Sequence, residues 1–504
     1  MTQTLAFTDV SQHDKTDDIW IVVNGSVYDM TDFAPVHPGG PDIIYRYAGR
    51  DASDMCNAVH APSLIRKSLD EKFHIGDIDP SSIPEKNETS AEDTNGSNGS
   101  HAVPLVQPDA PDKDTAKPPL SSIINLYDFE HAAAKTISKK SWAYISSASN
   151  DCITRDANVD FLQRIWFRPS VMRDVSTINT KTRLFGCDLD FPVYVTPMGG
   201  VKSAGVEGEL ALAKGAAEAG VVQCIATPSA YPYAEVIEAT AEQAFFQLYV
   251  LKDRARCEML VKMVTQSPKI KAIFVTADSP VISKREEDER AKPEDLIPTS
   301  NDGQPTLKKD WKGAGMARQA ASFIDPSLEW EDVAWLRTLT SLPIVVKGIQ
   351  RWEDAKLAME HGCEGIVLSN HGGRAADTAQ PAILLLLELH MNCPEVFQSM
   401  EVLIDGGFRR GSDAVKAICL GASAVGVGRP LFYAVNYGTD GVAHALNIVR
   451  DEMETAMRLC GISDLMKHAS PEYVNTSDID KYVIRGGHPY ARKILKRGDN
   501  IGNY

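Results

Sequence analysis

Eight short runs of β-branched and apolar residues set the tightest limit on what this chain can fold into. They are residues 191–197, 221–227, 244–250, 272–278, 343–349, 365–371, 401–407 and 424–430. Six of the eight end in a polar residue, glycine or proline, and helical stretches such as 207–219 and 353–361 lie between them. Strands covered on both faces read as continuous apolar runs rather than as an alternating pattern. Eight consecutive strand–helix units predict an α/β chain with a (β/α)8 TIM barrel. An open doubly wound sheet rarely needs eight consecutive parallel units.

The rest of the chain divides around that barrel. Residues 4–78 mix short strand-like and helical runs and read as a small α+β domain. Residues 79–118 are rich in Pro, Ser, Asn, Asp and Gly and nearly free of aromatic side chains, so they read as a flexible linker. As a coil, about 40 residues span roughly 35 Å, enough for a tethered domain to move. Residues 119–484 hold the barrel and 485–504 a C-terminal tail. Within the barrel, 279–330 is a long charged interruption after the fourth run and reads as a loop over the barrel mouth.

Charge and cysteine usage exclude several classes. A net charge of −16, with twelve acids against six Lys and Arg in residues 1–78, argues against nucleic acid or an anionic membrane and suits a basic protein partner. The longest apolar tract, 382–387, stops at Glu388, far short of a membrane span. Nine scattered cysteines with no C-x-x-C or C-x-x-C-H predict reduced thiols and no covalent haem attachment. The first twenty residues carry one Lys, no Arg and four Asp, unlike a transit peptide. The expectation is a cytoplasmic protein, with the mitochondrial intermembrane space as the alternative.

In the small domain, Val36-His37-Pro38-Gly39-Gly40 is followed 23 residues later by His60. Two opposed imidazoles with an apolar slot, here offered by Phe33, Ile44, Tyr47, Ile65 and Leu69, can hold a b-type haem. An isolated histidine is usually a surface or capping residue. The HPGG sequence, the spacing and the preceding stretch from Asp18 to Thr31 reverse that expectation. Residues 4–78 resemble the cytochrome b5 family, with His37 and His60 at its axial positions. The resemblance implies a non-covalent six-coordinate haem that carries single electrons. Flavin-linked members have a haem-contacting Tyr where this chain has Ser68.

Barrels of this kind gather their chemistry at the C-terminal ends of the strands. The third run delivers Gln247 and Tyr249, the fourth Thr276 and Asp278, the fifth Lys347. The sixth delivers Ser369-Asn370-His371-Gly372-Gly373-Arg374, the seventh Asp405-Gly406-Gly407-Phe408-Arg409-Arg410-Gly411, and the eighth Gly426-Val427-Gly428-Arg429. The glycines with Arg409 and Arg429 read as a phosphate cradle. The alternative is tight-turn glycines and structural ion pairs. The remainder suits oxidation of a 2-hydroxy acid. Arg374 can clamp a carboxylate, His371 can act as base with Asp278 holding its imidazole, and Tyr249 can bond the substrate hydroxyl. Lys347 can stabilise negative charge on a reduced flavin.

The sixth and seventh segments together resemble the FMN-dependent 2-hydroxy acid oxidase and dehydrogenase family over roughly 123–460. The resemblance implies FMN and haem b as cofactors and an (S)-2-hydroxy acid as substrate. Catalytic and substrate positions fall on Tyr144, Tyr249, Asp278, Arg285, His371 and Arg374. Flavin contacts fall on Gln247, Thr276, Lys347, Asp405, Gly406, Gly407, Arg409, Gly428 and Arg429, and on Pro197, Met198, Gly199 and Ala226. Two stretches depart from the family. Thr196-Pro197-Met198-Gly199-Gly200 replaces an Ala-Thr-Ala or Pro-Thr-Ala type of sequence, and Ala226 and Pro228 stand where a flavin-contacting Ser and a Leu are usual. Gly199 and Pro228 line the expected side-chain pocket, which implies room for a bulkier or aryl 2-hydroxy acid such as mandelate as well as lactate. The haem-linked members further imply a cytochrome c acceptor and a homotetramer bridged by the tail. The rival readings are an oxidase using O2 and a non-catalytic haem-binding protein.

Overall fold

In a computed structural model, which describes residues 4–37, 41–62, 64–65, 69–82, 116–291 and 323–486, all eight apolar runs are strands. They are β1 (Val193–Val195), β2 (Val222–Ile225), β3 (Ala244–Leu248), β4 (Ile270–Thr276), β5 (Ile344–Ile349), β6 (Gly365–Leu368), β7 (Glu401–Asp405) and β8 (Ala424–Val427). All pair in parallel, and β8 closes onto β1. The reason lies in the composition of the runs. Nearly every strand residue is buried, because one face fills the barrel and the other meets the surrounding helices. Inside, Phe245 and Phe274 stack with centroids 4.9 Å apart, beside Tyr194. An antiparallel hairpin, Thr182–Leu184 with Cys187–Leu189, plugs one end and brings Phe185 against both phenylalanines.

The N-terminal domain carries a small sheet in the order Thr4–Leu5, His74–Ile78, Ser26–Asp29, Asp18–Val23, Asp14–Lys15, with Arg50–Asp51 beside Asp18–Val23. Asn24 and Gly25, both at positive φ, turn the chain between the two longest strands, as a tight hairpin requires. Helix α1 (Ser53–Val59) runs directly into His60.

The predicted linker is ordered at both ends. Ser82 Oγ accepts the Phe7 N–H (2.8 Å), so 79–82 belong to the N-terminal domain. Lys117 and Pro118 bond Asn436 and Tyr437, so 116–118 belong to the barrel. Residues 83–115, the centre of the predicted mouth loop (292–322), the tail from 487, Pro38-Gly39-Gly40 and Ser68 lie outside the described residues. All nine cysteines are unpaired. Among the described residues no helix is long and apolar enough to cross a membrane.

Around the barrel, α2 (Leu126–Thr136), α3 (Lys139–Ser146) and α4 (Ile153–Gln163) precede β1. Between strands lie α5 (Glu209–Glu218) after β1, α6 (Arg254–Thr265) after β3 and α7 (Gly411–Cys419) after β7; α8 (Gly438–Cys460) follows β8. α5 crosses α8 at Gly215, where a β-carbon would fall 2.6 Å from Val442 Cβ. Helix propensity alone favours Ala over Gly by about 1 kcal/mol, whereas forcing a methyl into a packed contact costs about 1–3 kcal/mol. Gly215→Ala is therefore expected to destabilise the protein by about 1 kcal/mol in urea unfolding. A stabilised variant would contradict this packing.

Candidate active site

The mouth of the barrel is organised around one aspartate. Strand β5 shifts register between Lys347 and Ile349, and the residue between them is Gly348 at φ +108°. A β-carbon at 348 would lie 2.5 Å from Asp278 Cβ, so glycine there opens the place that Asp278 occupies. The Asp278 side chain is 0 % exposed. Its Oδ1 accepts from His371 Nδ1 at 2.8 Å and from Ser279 Oγ at 3.0 Å. Its Oδ2 is buried without a hydrogen-bond partner among the described residues. Burial alone would raise this carboxyl, but His371 and Lys347 outweigh it and hold it down at about 2.

His371 sits at φ +58°, a conformation that a non-glycine residue keeps only when its surroundings enforce it. Its N–H donates to Ser369 Oγ (3.0 Å), and Asn370 Oδ1 accepts the Gly373 N–H (3.1 Å). Asn370 in turn exchanges two amide hydrogen bonds with Asn158 of α4, at 2.8 and 2.9 Å. With Nδ1–H directed at Asp278, Nε2 is the basic nitrogen. Burial lowers the His371 pKa, Asp278 opposes that, and Lys347 and Arg285 push it down further. The imidazole is thus neutral and able to accept a proton at neutral pH.

Beside this pair lies a buried ammonium. Lys347 Nζ donates to Ser369 Oγ (3.1 Å) and lies 3.4 Å from Asp405 Oδ2. Burial disfavours its charge, but Asp405 and Asp278 more than compensate and raise its pKa. Gln247 bridges the Thr227 N–H (3.0 Å) and Thr276 Oγ1 (2.9 Å), and the Thr227 hydroxyl accepts the Tyr249 N–H (3.0 Å). Burial, with Asp278 nearby, raises the Tyr249 phenol to about 12, so it stays a hydrogen-bond donor.

The cations of the site are fixed by α3. Arg374 Nη1 donates to the carbonyls of Tyr144 (2.7 Å) and Ser147 (3.1 Å), and its guanidinium lies 5.0 Å from the Tyr144 ring centre. Arg429 donates to Ile145, Ser147 and Gly372 carbonyls at 2.9–3.0 Å. These carbonyls end a helix, where the dipole favours positive charge. Burial, then Arg374, depress both Arg285 and Arg429 to about 9. Arg285 Nη2 donates to the Arg374 carbonyl (3.3 Å), while its buried Nε has no hydrogen-bond partner among the described residues. Two buried guanidiniums crowding a third, with a donor unspent, suit an anionic ligand.

Several sequence expectations change. Gly406 and Gly407 have positive-φ backbone that packs against Asn158, whose backbone would meet a β-carbon at 407 at 2.6 Å, so no side chain fits there. Asp413 and Glu452 already accept the Arg409, Arg410 and Gly411 N–H groups. Arg409 pairs with Glu130 of α2 at 2.8 Å. Asp405 is spent on Ser369 and Lys347. Gly199 does not simply enlarge the side-chain pocket, because the Pro228 ring fills its place: a β-carbon at 199 would lie 2.8 Å from Pro228 Cγ. Tyr144 hydroxyl donates to the Gly199 carbonyl (3.2 Å) on the same wall. Met198 and Pro197 are half-buried, Ala226 is buried, and Gly428 abuts Thr196 Oγ1. Ser369, Gly348, Asn158 and Glu130 carry structure that sequence reasoning did not single out; no local pattern ties Asn158 to a residue 212 positions away.

In the N-terminal domain the His37 and His60 rings have centroids 6.2 Å apart and are nearly perpendicular. Two imidazoles facing across one metal, with metal–nitrogen bonds of about 2.0–2.1 Å, place their ring centres roughly 6.3 Å apart. His60 Nδ1 is buried without a hydrogen-bond partner among the described residues, and burial, then His37 and Lys202, lower His60 to about 4. Two imidazoles at this spacing, with His60 neutral, fit haem. Phe33, Ile44, Tyr47, Ile65 and Leu69 form one apolar cluster, as the slot requires. At the barrel mouth, a buried ammonium beside amide and hydroxyl groups, with guanidiniums at the rim, fits a flavin bearing a phosphate.

Residues 133–476 match the FMN-dependent dehydrogenase family. The chain belongs to that family. Residues 6–79 match the cytochrome b5-like heme/steroid binding domain, so this FMN-dependent dehydrogenase also carries a haem module. It is 39 % identical to an L-lactate dehydrogenase (cytochrome) of Wickerhamomyces anomalus over 491 residues, covering 96 % of this chain and 82 % of that one. A substituted flavocytochrome b2 with benzoylformate is similar at 37 % identity and TM-score 0.65, covering 76 % of this chain and 95 % of that one. A mandelate oxidase variant with (S)-mandelic acid is similar at 34 % identity and TM-score 0.61, covering 70 % and 98 %.

A reaction that uses His371 as base loses kcat/KM as pH falls through the His371 pKa, because the protonated ring cannot accept a proton. Burial holds that pKa below its ordinary value. The acid limb of kcat/KM is therefore expected below the ordinary histidine pKa of about 6.5; a limb at or above it would contradict the geometry.

Proposed function

We propose that this dehydrogenase oxidises an (S)-2-hydroxy acid to the 2-oxo acid at His371 and passes the electrons through its haem to an external one-electron acceptor of the cytochrome c class. The observation that carries the reading is the 2.8 Å contact between His371 and a fully buried Asp278, with Arg374 three residues beyond the histidine. Net, the hydroxy acid loses two electrons and two protons, and two one-electron acceptors are reduced.

Arg374 and Tyr144 bind the substrate carboxylate, and Arg285 adds positive charge behind them. Tyr249 donates to the substrate oxygen. His371 Nε2 removes a proton, and Asp278 stabilises the imidazolium that results, so the charge is never left unpaired in a buried site. FMN supplies the two-electron sink when bound. Gln247, Thr276 and Lys347 would hold its ring, and Lys347 would offset negative charge there. Arg429 and Arg409 would hold its phosphate, Arg409 exchanging Glu130 for the new anion. A net charge of −16 suits a basic acceptor. The homotetramer implied by the family resemblance belongs to the same proposal.

Two kinds of relative bear on the substrate. The full-length relative is named for L-lactate, whereas the two solved structures hold benzoylformate and (S)-mandelic acid. The pocket wall supports the larger acids, because the compact Pro228 ring, packed against Gly199, leaves no long side chain on that wall. A panel of hydroxy acids, scored by flavin bleaching and by cytochrome c reduction, tests both the activity and the substrate. L-mandelate is expected to give kcat/KM at least equal to that of L-lactate. A strong preference for lactate would show that Pro228 closes the space Gly199 leaves, and an unbleached flavin with every acid would refute the proposed reaction.

A further inference from the structure

The haem-binding domain meets the barrel through the same two loops that line the active site. The loop after β1 carries Pro197, Met198 and Gly199 and continues into a 3-10 turn, Val201–Ser203. From that turn Lys202 Nζ donates to the carbonyls of Asn57 (2.5 Å) and His60 (2.7 Å). These carbonyls end α1, where the helix dipole favours a cation. The loop after β2 carries Ala226 and Pro228, and its Ala230 carbonyl accepts the Ala61 N–H at 2.8 Å. Glu209 Oε1 accepts the Ala230 N–H (3.1 Å) from below and fixes that peptide. Ala61 is 1 % exposed, buried beside a haem ligand. On the other side, Arg256 of α6 donates to the carbonyl of Val36 (3.0 Å), next to His37.

Each haem-ligand segment is thus held by a barrel cation through a carbonyl at or beside the ligand. Neither cation belongs to the catalytic set. Lys202 is only three residues from Gly199, and Pro228, two residues from Ala230, packs on Gly199. The flavin-facing wall and the His60 segment form one hydrogen-bonded unit.

We propose that Lys202 is a positioning residue for electron transfer, docking the His60 segment on the two flavin-facing loops so that the reduced flavin passes single electrons to the haem. The step oxidises reduced flavin by one electron and reduces ferric haem to ferrous, twice per substrate. The proposal rests on the electron route given above. The two domains belong to one chain, which keeps them at high effective concentration, so loss of the contact loosens the docked geometry without separating the domains.

Lys202→Met in the full-length holoenzyme tests this, with Lys202→Arg as the charge-retaining control. Stopped-flow mixing with a 2-hydroxy acid reads flavin bleaching and haem reduction separately. Ferricyanide, which can draw electrons from the flavin itself, is compared with cytochrome c as acceptor. Losing hydrogen bonds to a charged donor predicts haem reduction and cytochrome c activity slowed about ten-fold or more in Lys202→Met, with flavin bleaching and ferricyanide activity retained. Hydrogen–deuterium exchange across residues 57–62 is expected to rise, and Lys202→Arg to keep most of the wild-type rate. Wild-type haem reduction in Lys202→Met, or flavin bleaching that falls in step with it, would overturn the proposal. Absence of bleaching in the wild type would instead refute the underlying reaction.

Discussion

The short contact between Asp278 and His371 is the constraint around which the barrel mouth is built. A buried carboxylate with one oxygen unpartnered is costly unless opposite charge stands close. Lys347 supplies that charge, and His371 donates a hydrogen bond to the carboxylate. Lys347 is in turn held by Ser369 and Asp405, and Ser369 also bonds the His371 backbone. Removing one member leaves another buried charge without its partner. That mutual dependence explains why His371 keeps a left-handed backbone and why β5 carries a glycine bulge opposite Asp278. The strain is local, and the Asn158–Asn370 amide pair anchors it to α4.

The same economy shapes the route out of the site. Two barrel loops each do double duty, facing the cofactor pocket at one end and the haem ligand segment at the other. The pocket wall therefore borders the haem dock. Pro228 illustrates this, since it fills the space beside Gly199 and lies two residues from the Ala230 carbonyl that receives Ala61. The pocket wall and the His60 segment are thus structurally continuous, joined by packing at Pro228 and a hydrogen bond at Ala230.

Much of this was legible in the sequence, and the exceptions share a cause. All eight strands were visible because buried parallel strands leave an unbroken apolar signature. His371, Arg374, Asp278 and Lys347 were visible because strand ends gather at one face in a barrel. His37 and His60 stood out through HPGG and their spacing. Gly348 was not visible, because its role depends on a side chain brought in by another strand. Gly406 and Gly407 stand out in the sequence as conformationally free, but sequence does not record that Asn158 packs against them. Glu130, Asn158 and Lys202 act across long separations, with no motif to mark them. Sequence shows that Gly199 and Pro228 are both small, but not that the two residues pack on each other.

The central claim is that a proton leaves the substrate at His371 and the electrons end on the haem held by His37 and His60. Anaerobic stopped-flow of wild type and His371→Gln with a 2-hydroxy acid, following flavin and haem absorbance together, tests it most directly. The account predicts flavin bleaching followed by haem reduction in the wild type. In His371→Gln it predicts loss of both, with the flavin and haem spectra of the resting protein intact. Fast flavin reduction in His371→Gln would contradict the assignment of the base. A wild-type flavin that bleaches, leaves the haem ferric and is reoxidised only by O2 would contradict the electron route.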